Sequence, residues 1–296
     1  MKRESKMHKH KIKKIFRFFR KLMIYIVLFF LAFCAIYPLI FLLVGSLKSA
    51  NELRVSLEPL WTGEGEIAWS WLPWEPTLRH YVELLLDSPG YFVMFWNSVK
   101  IVGGVIVGQI LLGLPAAWGF ARWEFCGRKT LMSLYIVLML FPFQVLMLSE
   151  YLILNQMGWI DTLMALILPG ACSTFPVFIM HRFFVKISQD IIEAAELDGA
   201  SEWQIFLYIG IPLGMPGIMA VIVLTFLEYW NLVEQPAVFL QSDYLKPLSL
   251  YILTITKENA GIIFVAATIA LLPPLLIFLC GRKYLESGIS TLTEKS

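Results

Sequence analysis

The sequence predicts an all-α membrane protein with six transmembrane helices. Hydrophobic residues make up 58% of its 296 positions and charged residues 16%. A soluble domain carries about 25% charged residues. The mean hydropathy is +0.71. The charge deficit is concentrated in six apolar stretches, at 22–47, 98–121, 130–149, 162–181, 203–227 and 259–281. Each can cross a hydrocarbon layer of ~30 Å at ~1.5 Å per helical residue. No alternating ten-residue pattern suggests a barrel. Backbone polar groups in lipid must then pair within helices.

The first stretch follows a basic tail, 1–21, with ten Lys and Arg, including Lys13, Lys14, Arg17, Arg20 and Lys21. Positive residues beside a span mark its cytoplasmic side, so the N-terminus is expected inside. The stretch is too long for a cleavable signal peptide and no small-residue cleavage site follows it. The tail, with His8 and His10, reads as a topogenic and partly disordered segment, with no nucleic-acid partner. The segment 48–95 is then an outer loop. Its Trp61, Trp69, Trp71 and Trp74 fit an interfacial belt, and stacking on a sugar ring is the alternative.

Arg122, Arg128 and Lys129 fall inside between the second and third stretches. The segment 150–161 lacks Lys and Arg and falls outside. Arg182 and Lys186 fall inside after the fourth stretch, and 228–258 is the second large outer loop. Arg282 and Lys283 fall inside after the sixth. An N-in, C-in topology is expected, with one membrane domain at 22–285 and a cytoplasmic C-terminal tail at 286–296. Pro38, Pro115, Pro142, Pro169, Pro176, Pro216, Pro273 and Pro274 lie in the spans, where each interrupts helical hydrogen bonding. Kinked helices suit a protein that opens alternately to two sides. Gly104-x-x-x-Gly108 is a close-packing signal.

Several chemistries lack their residues. No span carries an ionisable group near its middle; Lys100 and Glu150 sit at ends and can snorkel. Ion-coupled carriers place such groups at membrane depth. Gly127-Arg-Lys-Thr130 lacks the earlier glycine and the Gly-Lys pair of a phosphate loop, so the chain is expected to bind no ATP that way. Cys34, Cys126, Cys172 and Cys280 form no Cys-x-x-Cys and read as reduced and structural. The scattered histidines predict no metal site. No nucleophilic triad stands out, so no catalytic residue is expected.

Between Lys186 and Lys246 there is no Lys or Arg, yet Asp190, Glu193, Glu196, Asp198 and Glu202 crowd into one short segment. Asp190 and Glu193 have helix-cap spacing. Ile191, Ile192 and Ala195 would form one apolar face. Asp198-Gly199 would turn the chain, glycine allowing backbone angles that other residues resist. Ser201 would cap a second helix leading into the fifth span, and Pro212 marks its re-entry into the bilayer. The expected unit is helix, glycine turn, helix, within a cytoplasmic loop at 183–212. Outward carboxylates favour a basic partner, and small Ala194 and Ala195 permit close approach.

Glu193-Ala-Ala-x-x-x-Gly199, followed by Ile209-x-Ile-Pro212, resembles the EAA signature of ABC importer membrane subunits, with Ile211 where the family pattern has Leu. Trp96-Asn97-Ser98, Tyr229-Trp230-Asn231 and Lys246-Pro-Leu248 resemble the carbohydrate-importing, maltose-type branch, in particular its shorter permease. The resemblance runs from about Leu22 to the end of the chain.

It implies a type I ABC importer permease in a bacterial cytoplasmic membrane. This chain would form a heterodimeric pore with a second permease. Two copies of a cytoplasmic ATPase, holding ATP and Mg, would bind beneath, and an external solute-binding protein would dock above. Glu193, Ala194, Ala195, Asp198, Gly199, Ile209 and Pro212 would form the ATPase-coupling element. Asn97, Trp230 and Asn231 would lie near the external gate or docking surface; interfacial anchoring or helix capping is their alternative. The substrate is expected to be a sugar, with a polyol or glycerophosphate-type solute also open. A stand-alone carrier or facilitator is the rival class, and it would transport without any ATPase.

Overall fold

The computed structural model describes residues 2–66, 69–254, 256 and 258–293, with side chains within 20–286 other than Phe143. The basic side chains of residues 2–19, on which the predicted orientation leans, lie outside that description. Among the described residues the regular structure is entirely helical.

The first helix runs Lys2–Ser46 and its apolar part is Arg20–Ser46. The tail expected to be partly disordered is therefore helical. Lys and Arg are good helix formers, and a formed span removes the cost of nucleation. The second span is Pro89–Arg122, the fourth Met164–Phe184, the fifth Glu202–Trp230 and the sixth Ala260–Glu286.

The third stretch differs from the single helix expected at 130–149. It is Arg128–Leu140 followed by Gln144–Gln156, bent by 106°. Pro142 supplies no N–H and disfavours helical geometry in the residue before it; Phe141 is accordingly extended, with ψ 128°. The fourth span breaks at Cys172-Ser173, where Ser173 is extended.

The second and fifth spans share a local device. A five-residue π turn occupies Gln109–Gly113 in one and Phe206–Gly210 in the other. Gly113-Leu-Pro115 and Gly210-Ile-Pro212 follow the same order. A proline ring within a helix collides with the carbonyl four residues back, and a widened turn relieves that crowding without breaking the helix. Both prolines are thereby absorbed into continuous spans.

The contacts divide into two compact units. The first comprises residues 1–84 and 256–268. Its apolar core is Leu53, Leu57, Ala260 and Phe264, with Phe41, Leu42, Trp61 and Trp69 packed against it. The segment expected as an outer loop contains the helices Ala50–Thr62 and Arg79–Leu86. Two of its four tryptophans, Trp61 and Trp69, join that core, while Trp71 and Trp74 are exposed.

Lys48 and Glu52 are buried together in this unit. The Lys48 ammonium lies 3.3 Å from Glu52, donates to Ser70 Oγ at 2.9 Å and sits 3.7 Å from the Trp69 ring centroid. Glu52 also accepts from Ser70 Oγ at 2.7 Å and from the Trp74 N–H at 3.0 Å. Burial raises the Glu52 pKa, but the bonds from Ser70, Trp74 and Lys48 outweigh it and hold the carboxyl below its ordinary value.

The second unit comprises residues 85–255 and 269–296. Its largest core gathers Trp118, Val177, Met180, Phe184, Ile192, Ile205 and Phe206. Small residues bring its spans close. A Cβ on Gly104 would lie 2.9 Å from Ile167, and one on Gly108 would lie 2.4 Å from Ala171, so Gly104-x-x-x-Gly108 packs the second span on the fourth. A Cβ on Gly170 would meet the Tyr229 hydroxyl at 2.6 Å.

A polar link lies beside these contacts. Gln109 is 2% exposed. Its amide donates to Gly170 O at 3.0 Å, and its carbonyl accepts from Thr225 Oγ1 at 2.6 Å. The second, fourth and fifth spans thus meet at one side chain.

Candidate functional site

The acidic segment folds as a helix, Gln189–Leu197, a turn, and the start of the fifth span at Glu202. Its N-cap is Ser188, not the Asp190 that the carboxylate spacing suggested. The Ser188 hydroxyl accepts the Asp190 N–H at 3.3 Å. A serine with extended backbone one residue ahead of the first turn fills the cap position, leaving Asp190 within that turn, where a carboxylate is favoured by the helix dipole.

The other end is a Schellman turn. The Ala200 N–H donates to Ala195 O and the Gly199 N–H to Glu196 O, both at 3.0 Å. Gly199 has φ +82°, the left-handed region that glycine enters without strain. Ala195 and Ala200 both pack against the main core. Ser201 then closes a capping box with Gln204, the second cap expected from the sequence.

The helix presents two faces. Ile192 is 1% exposed and packs into the main core. Glu193, Ala194, Glu196, Asp198 and Gly199 are exposed, and Leu197 is 89% exposed. Ile191, expected on the apolar face, is exposed instead. Helical neighbours point about 100° apart, and Ile192 takes the buried direction.

A shallow concavity beside the turn is lined by Asp198, Gly199, Ala200, Gln204, Tyr208 and Ile209. Ile209 is half-buried within the π turn and Pro212 is exposed just beyond it. Of the signature residues, Asp198, Gly199 and Ile209 share this concavity, and Glu193, Ala194 and Pro212 are exposed outside its lining.

This surface is tied to the spans. Arg122, at the end of the second span, donates to Gln189 Oε1 at 2.6 Å and lies over the Trp118 ring at 5.8 Å. Trp118 meets Phe184 at 5.3 Å edge-on and Phe206 at 5.6 Å. A Cβ on Gly210 would lie 2.6 Å from the Trp118 ring. The acidic helix is thus built into the same core as the second, fourth and fifth spans.

The opposite ends of the second and fifth spans hold the other candidates. Asn97 is buried. Its amide donates to Tyr244 O at 2.7 Å and Lys246 O at 3.2 Å. Its neighbour Ser98 accepts the Leu248 N–H at 2.9 Å. The Trp-Asn-Ser and Lys-Pro-Leu motifs, far apart in sequence, are therefore stapled to each other. Trp230 is buried, donates from Nε1 to Ala270 O at 3.0 Å and stacks on Phe226 at 5.4 Å. Asn231 is exposed and caps the fifth span, its amide donating to Leu227 O at 2.8 Å. Asn97 and Trp230 act here as buried struts, and of the three only Asn231 offers its side chain to the surface.

One residue in this region escaped the reading of the sequence. Asp161 has φ +60°, uncommon for any residue but glycine. Its carboxylate accepts the N–H groups of Gln241 and Ser242 at 2.9 and 2.8 Å and the Ser242 hydroxyl at 2.5 Å. Its own N–H donates to Phe239 O at 2.9 Å. The Ser242 hydroxyl and N–H, followed by the Gln241 N–H, hold the carboxyl below its ordinary range. Its only signal in sequence is an aspartate in a short inter-span loop.

The fold is a set of apolar spans that carries a helix–glycine turn–helix at one end of its main core. The chain belongs to the family of binding-protein-dependent transport system inner membrane components, which matches residues 109–291; it is a multi-pass permease of the ABC importer class. The arabinooligosaccharides transport system permease protein AraQ of Halalkalibacterium halodurans is 26% identical over 264 residues, 88% of this chain and 91% of that protein. The lactose transport system permease protein LacG of Rhizobium radiobacter is 26% identical over 268 residues, 90% and 93% of the two chains. The fold is that of a chain in the crystal structure of a bacterial ABC transporter involved in import of the acidic polysaccharide alginate. That chain has a TM-score of 0.75 and 21% identity, with 88% of this chain and 94% of that one covered.

Proposed function

We propose that this permease imports sugars, oligosaccharides first among them, as one half of a heterodimeric pore, and that Glu193–Pro212 is its contact with a separate ATPase. The substrate class is supported by the arabinooligosaccharide and lactose relatives. ATP hydrolysis belongs to the partner, and the solute arrives on an external binding protein, in keeping with a binding-protein-dependent family. N- and C-termini lie in the cytoplasm, a reading supported by the sequence alone, in which Lys and Arg flank the first span at its start, follow the second and fourth spans and follow the sixth.

One observation carries the coupling role. The acidic helix is anchored to the core shared by three spans through Ile192 and Ala195, with Arg122 bonded to Gln189, while Glu193 and Leu197 are exposed. An exposed apolar side chain ringed by carboxylates suits a basic cleft with an apolar floor. The ATPase dimer would shift the population of two permease states by moving this helix, and the aromatic core around Trp118 would pass the motion to the spans. Asn97, through the segment 244–248, and Trp230, through Ala270, hold the outward end that receives it, with Asn231 at its surface.

Reconstitution tests the reading. Uptake into proteoliposomes should need the second permease, the ATPase, ATP on the ATPase side and the binding protein. Transport by this chain alone would instead make it a facilitator. A cysteine introduced at 197 should be labelled only from the cytoplasmic side.

A further inference from the structure

We infer that Gln109 is a positioning residue for transport, a pin that holds three spans in register beside the π turn of the second and the break of the fourth; this rests on the importer reading above. The sequence gives Gln109 no motif, yet it is among the most buried polar residues of the chain. Both ends of its carboxamide are used, one on Gly170 O and one on Thr225 Oγ1. A polar group at membrane depth is retained only with partners, and these partners lie on two other spans.

Its position links it to motion. Gln109 is the first residue of the π turn in the second span. Gly170, its acceptor, lies just before the Cys172-Ser173 break in the fourth. Thr225 lies in the regular helix Ile211–Trp230 of the fifth span, well beyond its π turn at Phe206–Gly210. On one side of Gln109 lies a block welded around Trp118, Phe184, Phe206 and Ile192, which carries the acidic helix. On the other lie Asn97, Trp230 and the segments they hold. The close contacts of Gly108 with Ala171 and of Gly170 with Tyr229 leave little room for the spans to slide. Hydrogen bonds at a helix crossing fix a pivot: the helices can tilt about it while their register stays. Without the pin, the second span can tilt under the movement of the acidic helix without carrying the fourth and fifth spans with it.

The test uses the assembled complex in proteoliposomes with the binding protein and its sugar. Gln109→Leu keeps the volume and removes both bonds; Thr225→Val removes one. Both variants should assemble and keep basal ATPase activity. Uptake per ATP hydrolysed should fall by about eightfold in Gln109→Leu, the scale of two interhelical bonds at their average strength, and by about threefold in Thr225→Val. The double variant should be no worse than Gln109→Leu, because the Thr225 bond is already lost there.

Wild-type coupling in Gln109→Leu overturns the inference, as do losses that multiply in the double variant or that track loss of assembly. If Gln109→Leu does not assemble, Thr225→Val decides, and unchanged coupling there is equally fatal. Failure of the wild-type complex to couple uptake to ATP would overturn the importer reading instead.

Discussion

Replacing Gly199 separates backbone strain from contact. Its φ is +82°, and a Cβ built there meets nothing within 4 Å. A substitution therefore costs conformational energy without a clash inside this chain. For an ordinary L residue the left-handed region costs about 1–2 kcal/mol, a factor of about 5–30 in population of the turn. Asparagine, which enters that region more readily, costs less. A β-branched residue costs about 3 kcal/mol, at the upper end for such strain.

The Ala200-to-Ala195 and Gly199-to-Glu196 bonds close only around that angle, so losing it re-aims the helix Gln189–Leu197 that carries Glu193. The expected order of uptake is Gly, then Asn, then Ala, with Val inactive. Membrane insertion and pairing with the second permease should be unchanged, since the span contacts around Trp118, Phe184 and Phe206 do not involve the turn. Binding-protein-stimulated ATPase activity and sugar uptake in proteoliposomes measure this. Wild-type uptake by Gly199→Val, or Asn faring no better than Val, would refute the reasoning.

Other outcomes can be checked singly. Glu52→Gln leaves the fully buried Lys48 without its counter-charge, a loss of about 3–5 kcal/mol that should lower the thermal midpoint in detergent, and adding Lys48→Met should recover part of it. Because the Glu52 carboxyl sits below its ordinary 4.5, the stabilisation it gives is present above that pH and should fade as pH falls through the lower folded value; Glu52→Gln should flatten that acid limb of a melting profile. Asp161→Ala removes three accepted bonds and should speed hydrogen exchange at Gln241 and Ser242, while Asp161→Asn, which tolerates the positive φ, should lie between. Asn97→Ala should raise exchange around residues 244–248 and reduce stimulation by the binding protein more than basal ATPase activity.

The helical membrane class was legible in composition, because water and lipid sort side chains by polarity before any tertiary contact forms. The glycine turn at 199 and the Ser201 cap were legible for a similar reason: each satisfies backbone groups within a few residues of itself. Local rules also show where they stop. Asp190 has the chemistry of a cap, but Ser188 occupies the place because that is where the backbone becomes extended. Pro115 and Pro212, which sit inside continuous helices, each follow a glycine two residues back, and Pro142 at the bend of 106° follows Leu140-Phe141; no general rule of proline in a helix tells in advance whether a widened turn or a break relieves the crowding.

The pairings of distant groups belong to the tertiary structure alone. Asn97 and Ser98 find residues 244–248, Gln109 finds Gly170 and Thr225, and Asp161 finds residues 239–242. A polar side chain in an apolar run announces that it needs a partner, since burial without one is costly. Which partner it meets depends on how the helices cross, and that is set by the summed packing of glycines and rings over the whole unit.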